Sequence, residues 1–321
     1  MRAARGSVSI ENLKSNIENP EAVLTLRDLT AWSFGGTALA VLGHPIGHSV
    51  SPSMHNAALA ALARTDAAFA AWSYFRFDIA PADLPAALEL FHAKKFHGLN
   101  LTVPHKVIAF DRVAEVDAAA RSLGAVNTLR WNERGWHGFN TDGYGLAAAV
   151  RETLGRDLAK AHVILLGAGG AARGAAVECL QRGCASLWIA NRTPENLAAL
   201  LALLTPIAGG IPLRGFSPAA PPADLPASAL LINATSAGLR ATDPAPTDLA
   251  TLPRPAAVFD MIYNPPLTAL LRSAATLGVP YANGLAMLVH QGAKSLEIWS
   301  GASPAITAPT MAAAARAALG V

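Results

Sequence analysis

Cysteine and charge are both scarce in this 321-residue chain. Only two cysteines occur, Cys179 and Cys184, and their spacing fits neither a disulfide framework nor a metal-ligand set. They are therefore expected to be free thiols, which favours a reducing, cytoplasmic location. Charged residues make up 15% of the chain and the net charge is +3, with no basic cluster. A nucleic-acid partner is therefore not expected.

Long apolar runs are missing as well. The longest, residues 161–177, is broken by glycines and by Arg173, which argues against a membrane span of about 20 residues. Polar residues such as Glu11, Asn12 and Lys14 stand where a signal peptide needs its apolar core. We therefore expect no membrane association and only small-molecule ligands, with the chain acting as a monomer or a homodimer.

Lysine is the third scarce residue, so a functional lysine has few candidates. The six lysines stand at positions 14, 94, 95, 106, 160 and 294.

From Ala38 onward, strand patterns alternate with helix patterns, whereas residues 1–37 lack a clear period and are interpreted as an extension. The predicted strands are 38–43, 71–79, 98–102, 125–131, 135–139, 161–166, 186–190, 229–233 and 256–260. The predicted helices are 52–63, 81–92, 117–123, 142–154, 170–182, 195–204, 266–277, 285–300 and 310–319. This alternation predicts an α/β fold with parallel sheets in two domains. The two closing helices, with no strand after them, are expected to pack back onto the first domain.

A glycine cluster follows the strand that ends at Leu166 and opens a helix. In this context Gly167 allows a tight turn and Gly169 allows close approach of a pyrophosphate. The small residues that follow let the helix pack closely and present its free N–H groups to the anion. The cluster predicts a dinucleotide site, although a glycine turn also occurs in α/β domains without one.

The tip of the next strand bears on the choice of cofactor. NAD sites usually carry an acidic residue there, about 20 residues beyond the glycines. This chain has Asn191, Arg192 and Thr193 instead. The planar guanidinium of Arg192 suits a 2′-phosphate, which favours NADP, unless Arg192 is only a solvated surface residue.

The loop before the first predicted helix carries two hydroxyls, Ser49 and Ser51. Ser51 is predicted to be the N-cap of that helix, and both hydroxyls would lie where a helix N-terminus favours a carboxylate. Capping alone is the competing explanation. Three histidines lie nearby, but no cysteine or carboxylate of the loop completes a zinc set, so no metal is expected.

Further polar residues cluster at predicted strand ends. Asn100 and Thr102 share one side of their strand, and Lys106 follows in the next turn. Asp142 is expected to cap a helix after a strand end, and Asn127 is a polar residue inside an otherwise apolar strand. Taken singly, Lys106 is better explained as a surface lysine and Asp142 as a capping aspartate than as site residues.

Together these segments resemble the shikimate dehydrogenase family, which includes quinate/shikimate dehydrogenases. The resemblance spans about residues 38–320 and includes the segments 232–238, 260–265 and 284–291. It implies a substrate-binding domain at 38–141 and 285–321, and a Rossmann-type NADP domain at 142–284.

The resemblance also implies roles for individual residues. Ser49 and Ser51 would hold the substrate carboxylate, with Lys106 and Asp142 as the catalytic pair. The other implied substrate residues are Asn100, Thr102, Asn127, Tyr263 and Gln291. The implied cofactor residues are Gly167, Ala168, Gly169, Gly170, Ala171, Asn191, Arg192, Thr193, Thr235, Met261 and Gly284.

The expected reaction is reversible reduction of 3-dehydroshikimate to shikimate with NADPH, within chorismate and aromatic amino-acid biosynthesis. Lys106 would act as general acid, with Asp142 hydrogen-bonded to it. One departure keeps an alternative open: NADP-preferring members often carry a second basic residue where this chain has Glu195 and Asn196. A quinate/shikimate enzyme that uses NAD, a shikimate-binding sensor without turnover and an unrelated Rossmann reductase are the alternatives.

Overall fold

The computed structural model describes Asn19 and residues 22–321. It divides into two compact units. Unit 1 runs to Thr141 and resumes at Gly292–Val321, and unit 2 is Asp142–Gln291. Unit 1 is thus built from two separate stretches of chain. The sequence prediction put the second boundary between residues 284 and 285; it falls later because one helix, Leu285–Ser300, contributes residues to both units.

Unit 1 is built on a seven-stranded mixed sheet. Its strands are β1 (Val23–Thr25), β2 (Thr37–Gly43), β3 (Trp72–Asp78), β4 (Gly98–Leu101), β5 (Glu115–Val116), β6 (Thr128–Asn132) and β7 (Gly135–Phe139). The spatial order is β1-β3-β2-β4-β6-β7-β5. The first four strands are parallel, and β6 runs antiparallel to both β4 and β7. Central β2 is almost wholly apolar and buried, as a strand covered on both faces should be.

Helices cover this sheet. Before residue 142 they are α1 (Leu26–Thr30), α2 (Ser51–Ala63), α3 (Leu84–Ala93), α4 (His105–Ile108) and α5 (Ala118–Leu123). Buried aromatic rings dominate one core: Trp32, Phe75, Phe77, Phe91 and Phe96 pack together, mostly edge to face.

Unit 2 is a parallel sheet of six strands with helices between them. The strands are β8 (His162–Leu166), β9 (Ser186–Ala190), β10 (Leu213–Phe216), β11 (Leu230–Asn233), β12 (Ala257–Asp260) and β13 (Tyr281–Ala282). The helices from residue 142 onward are α6 (Asp142–Leu154), α7 (Gly170–Gln181), α8 (Pro194–Leu204), α9 (Ala269–Thr276), α10 (Leu285–Ser300) and α11 (Pro304–Leu319), of which α11 belongs to unit 1.

The strand order in unit 2 is β10-β9-β8-β11-β12-β13, which is the 3-2-1-4-5-6 order of a doubly wound dinucleotide-binding sheet. The order reverses between β8 and β11. Ligands of such sheets bind at the carboxyl ends of the strands on either side of this point. The predicted α/β class with a Rossmann-type domain is therefore confirmed.

The interpretation of residues 1–37 as an extension is wrong for residues 22–36. These residues form β1 and α1, and β1 pairs with β3 in the unit 1 sheet. Leu24, Leu29 and Trp32 are buried in the core, a burial that the short, irregular sequence pattern did not reveal. Of the earlier part of the extension, residues 1–18, 20 and 21 lie outside the described residues.

Other elements also differ from the prediction, among them one strand and the last helix. The edge strand β10 was not predicted, because its middle residues Arg214 and Gly215 are exposed and polar or small. The last helix begins at Pro304 rather than Thr310 and contains Pro309. Proline removes one helical hydrogen bond, but burial of Ala308 and Met311 stabilises that turn.

Candidate active site

The hydroxyl-bearing loop follows the carboxyl end of β2 and leads into α2. Helix α2 begins at Ser51, so the prediction of Ser51 as N-cap is wrong; Val50 occupies that position without a side-chain cap. Instead the Ser51 backbone N–H donates to Ser49 Oγ at 3.3 Å. Ser49 is half-buried and Ser51 is 7% exposed. Both hydroxyls thus lie at the amino end of α2, where partial positive charge favours an anion.

Two residues of β3 that the sequence prediction missed hold this loop in place. Arg76 is buried, and its Nη1 donates to the carbonyls of Gly47 at 2.8 Å and Ser49 at 2.9 Å. Asp78 accepts the Ile46 backbone N–H at 3.3 Å, and its other oxygen lies 2.5 Å from His44 Nδ1. The alternation of polar residues along β3 was the available signal.

The Lys106 turn lies beside this loop. Thr102 follows β4, and its backbone N–H donates to the Leu42 carbonyl at 3.0 Å. A Cβ on Gly43 would come within 2.5 Å of Thr102 Cγ2, so glycine lets the two segments lie this close without a side-chain shift. Lys106 is half-buried on the short helix α4, and its carbonyl accepts the Val126 N–H at 3.0 Å.

A buried polar network lies behind this turn. Asn100 Oδ1 accepts the Tyr74 hydroxyl at 2.8 Å, and Asn100 Nδ2 lies 3.0 Å from Ser295 Oγ and 3.1 Å from both Thr128 Oγ1 and the Asn127 carbonyl. Asn100 is 6% exposed and both of its amide atoms are engaged, so it positions its neighbours; its contact with the substrate remains a prediction.

Asn127 connects this network to the start of unit 2. It precedes β6 and is not within a strand, contrary to the prediction. Its Oδ1 accepts the Thr141 backbone N–H at 2.9 Å, and its Nδ2 donates to Thr141 Oγ1 at 3.0 Å. Asp142 is the next residue and begins α6. One peptide bond therefore separates Asp142 from an anchored residue of unit 1.

Within unit 2, the predicted substrate residues Asp142 and Gln291 are connected through a helix contact. A Cβ on Gly145, one turn into α6, would lie 2.8 Å from the Met287 carbonyl and 2.9 Å from Gln291 Cβ. One side of α10 thus packs directly on the α6 backbone. His290 Nε2 lies 2.5 Å from Glu152 Oε2 and adds a polar contact between the same helices.

The glycine turn after β8 has the geometry of an anion site. Gly167 adopts φ +113°, which favours glycine, and its Cβ would crowd Ala234 and Thr235 after β11. Nothing lies within 4 Å of the Cβ positions of Gly169 and Gly170, and Ala168 and Ala171 are small neighbours at the same turn. Helix α7 begins at Gly170 with no side-chain cap. Its free N–H groups suit a pyrophosphate.

The turn after β9 is exposed and basic. Arg192 and Thr193 are exposed, while Asn191 is half-buried and its Nδ2 donates to the Thr193 carbonyl at 2.9 Å. Asn191 therefore shapes the turn that presents Arg192. Glu195 lies exposed in the first turn of α8.

A buried carboxylate organises the loops after β11 and β12. Asp260 Oδ1 accepts from Asn233 Nδ2 at 2.9 Å, and its Oδ2 accepts from Thr268 Oγ1 at 2.6 Å. Asn233 Oδ1 in turn accepts the hydroxyl of Thr235 at 2.7 Å. Burial raises the pKa of Asp260, and these donors offset part of the rise. The sequence prediction did not include this network.

The remaining predicted cofactor residues lie close to it. The Met261 N–H donates to the Asn233 carbonyl at 3.0 Å, and a Cβ on Gly284 would overlap the Met261 carbonyl. Tyr263 is half-buried, and burial raises the pKa of its phenol. Unit 2 thus brings Thr235, Met261 and Gly284 to one end of its sheet.

Metal clusters and membrane helices are both absent from the described residues. No group of three or more His, Cys, Asp or Glu side chains with metal-binding geometry occurs among them. Within the same part of the chain, no helix combines the length and apolar character that crossing a bilayer requires.

Comparison with known proteins gives consistent matches. A family model described as the shikimate dehydrogenase substrate binding domain matches residues 41–129, and one described as the shikimate 5′-dehydrogenase C-terminal domain matches 284–316. Shikimate dehydrogenase (NADP(+)) of Citrifermentans bemidjiense is 39% identical over 267 residues, which are 82% of this chain and 90% of that protein. The chain belongs to the shikimate dehydrogenase family.

Solved structures of similar fold include members of this family. The shikimate 5-dehydrogenase of Thermus thermophilus, in complex with NADP(H) and shikimate, is 35% identical with TM-score 0.76, covering 88% of this chain and 99% of that one. The 5-ketofructose reductase of Gluconobacter sp. strain CHM43 is 31% identical with TM-score 0.73, covering 87% of this chain and 99% of that one. The family predicted from the sequence is confirmed, and the roles of individual side chains remain predictions.

Proposed function

We propose that the protein is an NADP-dependent shikimate dehydrogenase that reversibly reduces 3-dehydroshikimate to shikimate in chorismate and aromatic amino-acid biosynthesis. The observation that carries this proposal is the chain of contacts from the Lys106 turn, through Val126 and Asn127, to Thr141 and the start of α6 at Asp142. These contacts fix the turn that carries the Lys106 ammonium to Val126. They also fix Thr141, which precedes the Asp142 carboxylate, to the adjacent residue Asn127. The family membership supports it.

The substrate is expected to bind through its carboxylate and its ring oxygens. Ser49 and Ser51 lie at the amino end of α2 and would donate hydroxyl hydrogen bonds to the carboxylate. Asn100, Thr102, Asn127, Tyr263 and Gln291 would supply polar side chains for the ring hydroxyls. The ketone end of the ring would then face Lys106.

Unit 2 fits a bound NADP. The open glycine turn and the uncapped start of α7 suit a pyrophosphate, and the exposed guanidinium of Arg192 suits a 2′-phosphate. Thr235, Met261 and Gly284 would line the nicotinamide end. The cofactor would supply the hydride.

Proton transfer is the part of the reaction that side chains would perform. As the ketone is reduced, its oxygen gains negative charge and takes a proton from the Lys106 ammonium, which is regenerated from solvent. In the reverse direction neutral Lys106 would take the proton from the hydroxyl. Asp142 would hydrogen-bond the ammonium and orient it.

The direct test is a spectrophotometric assay of the purified protein with 3-dehydroshikimate, following loss of the reduced nicotinamide absorbance. Turnover with NADPH that exceeds turnover with NADH is the expected result. Faster turnover with NADH, or a preference for quinate in the reverse direction, would favour the alternative suggested by Glu195. Tight binding of shikimate with no turnover would identify a sensor and refute the proposal.

We further propose that the enzyme works in the cytoplasm as a monomer or homodimer with small-molecule ligands only. Both cysteines are free thiols buried in unit 2, which is compatible with a reducing compartment. Light scattering that gives one or two chain masses, unchanged by added DNA, is the expected result; a higher assembly would contradict it.

A further inference from the structure

A buried arginine stands behind the hydroxyl loop in unit 1. Arg76 is 7% exposed and lies on β3 between Tyr74 and Asp78. Alternate residues of a strand point to the same face, so these three share one face of the sheet. The observed contacts agree: Tyr74 stacks on His55 of α2 at 4.0 Å between ring centroids, and Asp78 contacts the loop before α2.

The guanidinium of Arg76 contacts the segment that carries Ser49. It donates to the carbonyl of Gly47 and to that of Ser49 itself, at 2.8 and 2.9 Å. Burying a cation is costly unless nearby negative charge or dipoles compensate for it. The two carbonyl dipoles supply part of that compensation. A charge placed beside the amino end of a helix also adds to the positive potential there.

The proposed carboxylate ligands, by contrast, are neutral. Ser49 and Ser51 donate hydrogen bonds but carry no charge themselves, so their preference for an acid over a neutral amide rests on charge-assisted hydrogen bonds and on the helix dipole. The fold similarity to a 5-ketofructose reductase shows that the architecture also occurs in a protein named for a sugar substrate. A full positive charge close to the hydroxyl loop would strengthen the selection for an acid.

We propose that Arg76 is the residue that makes this site selective for a carboxylate, through its buried positive charge behind Ser49. The inference rests on the proposed function, because it takes an acid as the substrate. Arg76 is a specificity-determining residue that acts through space and through the loop. Arg76 does not need to contact the substrate for this effect.

Other ionisable groups near the loop do not take over this role. Asp78 is negative, and its carboxylate is held by Ile46 N–H and by His44. His105 is fully buried, and burial lowers its pKa, so it is neutral at pH 7. Lys106 does not fill this role, because it is proposed to protonate the ketone oxygen of the substrate. Arg76 is thus the buried permanent cation of this loop region within the described residues.

The test compares 3-dehydroshikimate with its primary carboxamide, which has nearly the same shape but no charge. For the unaltered enzyme we expect a KM for the amide at least about tenfold above that for the acid, which corresponds to about 1.4 kcal/mol. In Arg76→Gln the KM for the acid should rise about tenfold while the KM for the amide changes less than about twofold. The turnover number kcat for either substrate should change little, because Arg76 takes no part in the proposed proton transfer.

Arg76→Lys keeps the charge and should keep most of the preference for the acid, so it also tests the idea if Arg76→Gln fails to fold. The matched control is Arg64→Gln, an equal loss of charge just beyond the opposite end of α2, about 20 Å away, which should leave both KM values unchanged.

Equal rises for acid and amide in Arg76→Gln would assign Arg76 a purely structural role and overturn the inference. Equal KM values for acid and amide in the unaltered enzyme, or loss of the preference in Arg76→Lys, would also overturn it. No turnover of 3-dehydroshikimate by the unaltered enzyme would instead refute the proposed function.

Discussion

Replacing Gly145 with alanine should impair activity by moving helix α10 away from helix α6. The added methyl group would lie 2.8 Å from the Met287 carbonyl and 3.1 Å from the backbone nitrogen of Gln291, where ordinary contact begins at 3.4 Å. These are backbone atoms, so the helices must separate by about 0.6 Å. Since a misplacement of about 1 Å at a reacting centre can cost about 100-fold, we expect kcat/KM to fall about tenfold.

The same substitution should also cost stability. Overpacking costs about 1–3 kcal/mol, whereas alanine has a helix propensity better than that of glycine by about 1 kcal/mol. Gly174→Ala is the matched control, because Gly174 lies in helix α7 with nothing within 4 Å of its Cβ position. Both variants gain the propensity, so the difference in their free energies of unfolding, measured with urea, should be about 1–3 kcal/mol. If Gly145→Ala matches Gly174→Ala in both kcat/KM and stability, the helix contact does not position Gln291.

Three further predictions follow from other parts of the molecule. Lys106→Ala should lower kcat by about 10²–10⁴-fold with little change in substrate KM, and unchanged turnover would remove Lys106 from the mechanism. Arg192→Ala should raise the KM for NADPH by about 10–100-fold and leave that for NADH unchanged; parallel changes would contradict a 2′-phosphate contact. Burial lowers the pKa of His55 from 6.5 to about 4, although hydrogen bonds to the backbone of Ser51 and Gly292 offset part of the effect. The unfolded chain therefore binds the proton first as pH falls, and about 3 kcal/mol of stability should be lost between pH 6.5 and 4. The variant His55→Asn should not show this loss of stability when its free energy of unfolding is measured as a function of pH. An identical pH dependence in the variant and the unaltered protein would refute the assignment to His55.

The features that could be predicted from the sequence are the local ones. The glycine turn at Gly167 between a strand and a helix, and the strand-helix alternation, depend on neighbours within a few residues, and both appear in the structure. The residues that position the site could not be predicted in this way. Asn100 meets Ser295, which is 195 positions away, and Gly145 meets Gln291 across two helices.

Burial explains the remaining differences. The burial of Arg76 could not be predicted, because charged residues are mostly exposed and its contacts with the carbonyls of Gly47 and Ser49 depend on the fold. Ser51 resembled a capping residue, but the helix begins one residue earlier than predicted, so that Val50 takes the N-cap position and the Ser51 N–H donates to Ser49 Oγ.

The proposed reaction requires that Lys106 and Asp142 act as one catalytic unit. Its most direct measurement is a double-mutant cycle on kcat with 3-dehydroshikimate and NADPH, using Lys106→Ala, Asp142→Asn and the double variant. A double variant no slower than the slower single variant is the result we predict, because either change alone disables the pair. Losses in kcat that multiply would mean that the two residues act independently, and would contradict the account.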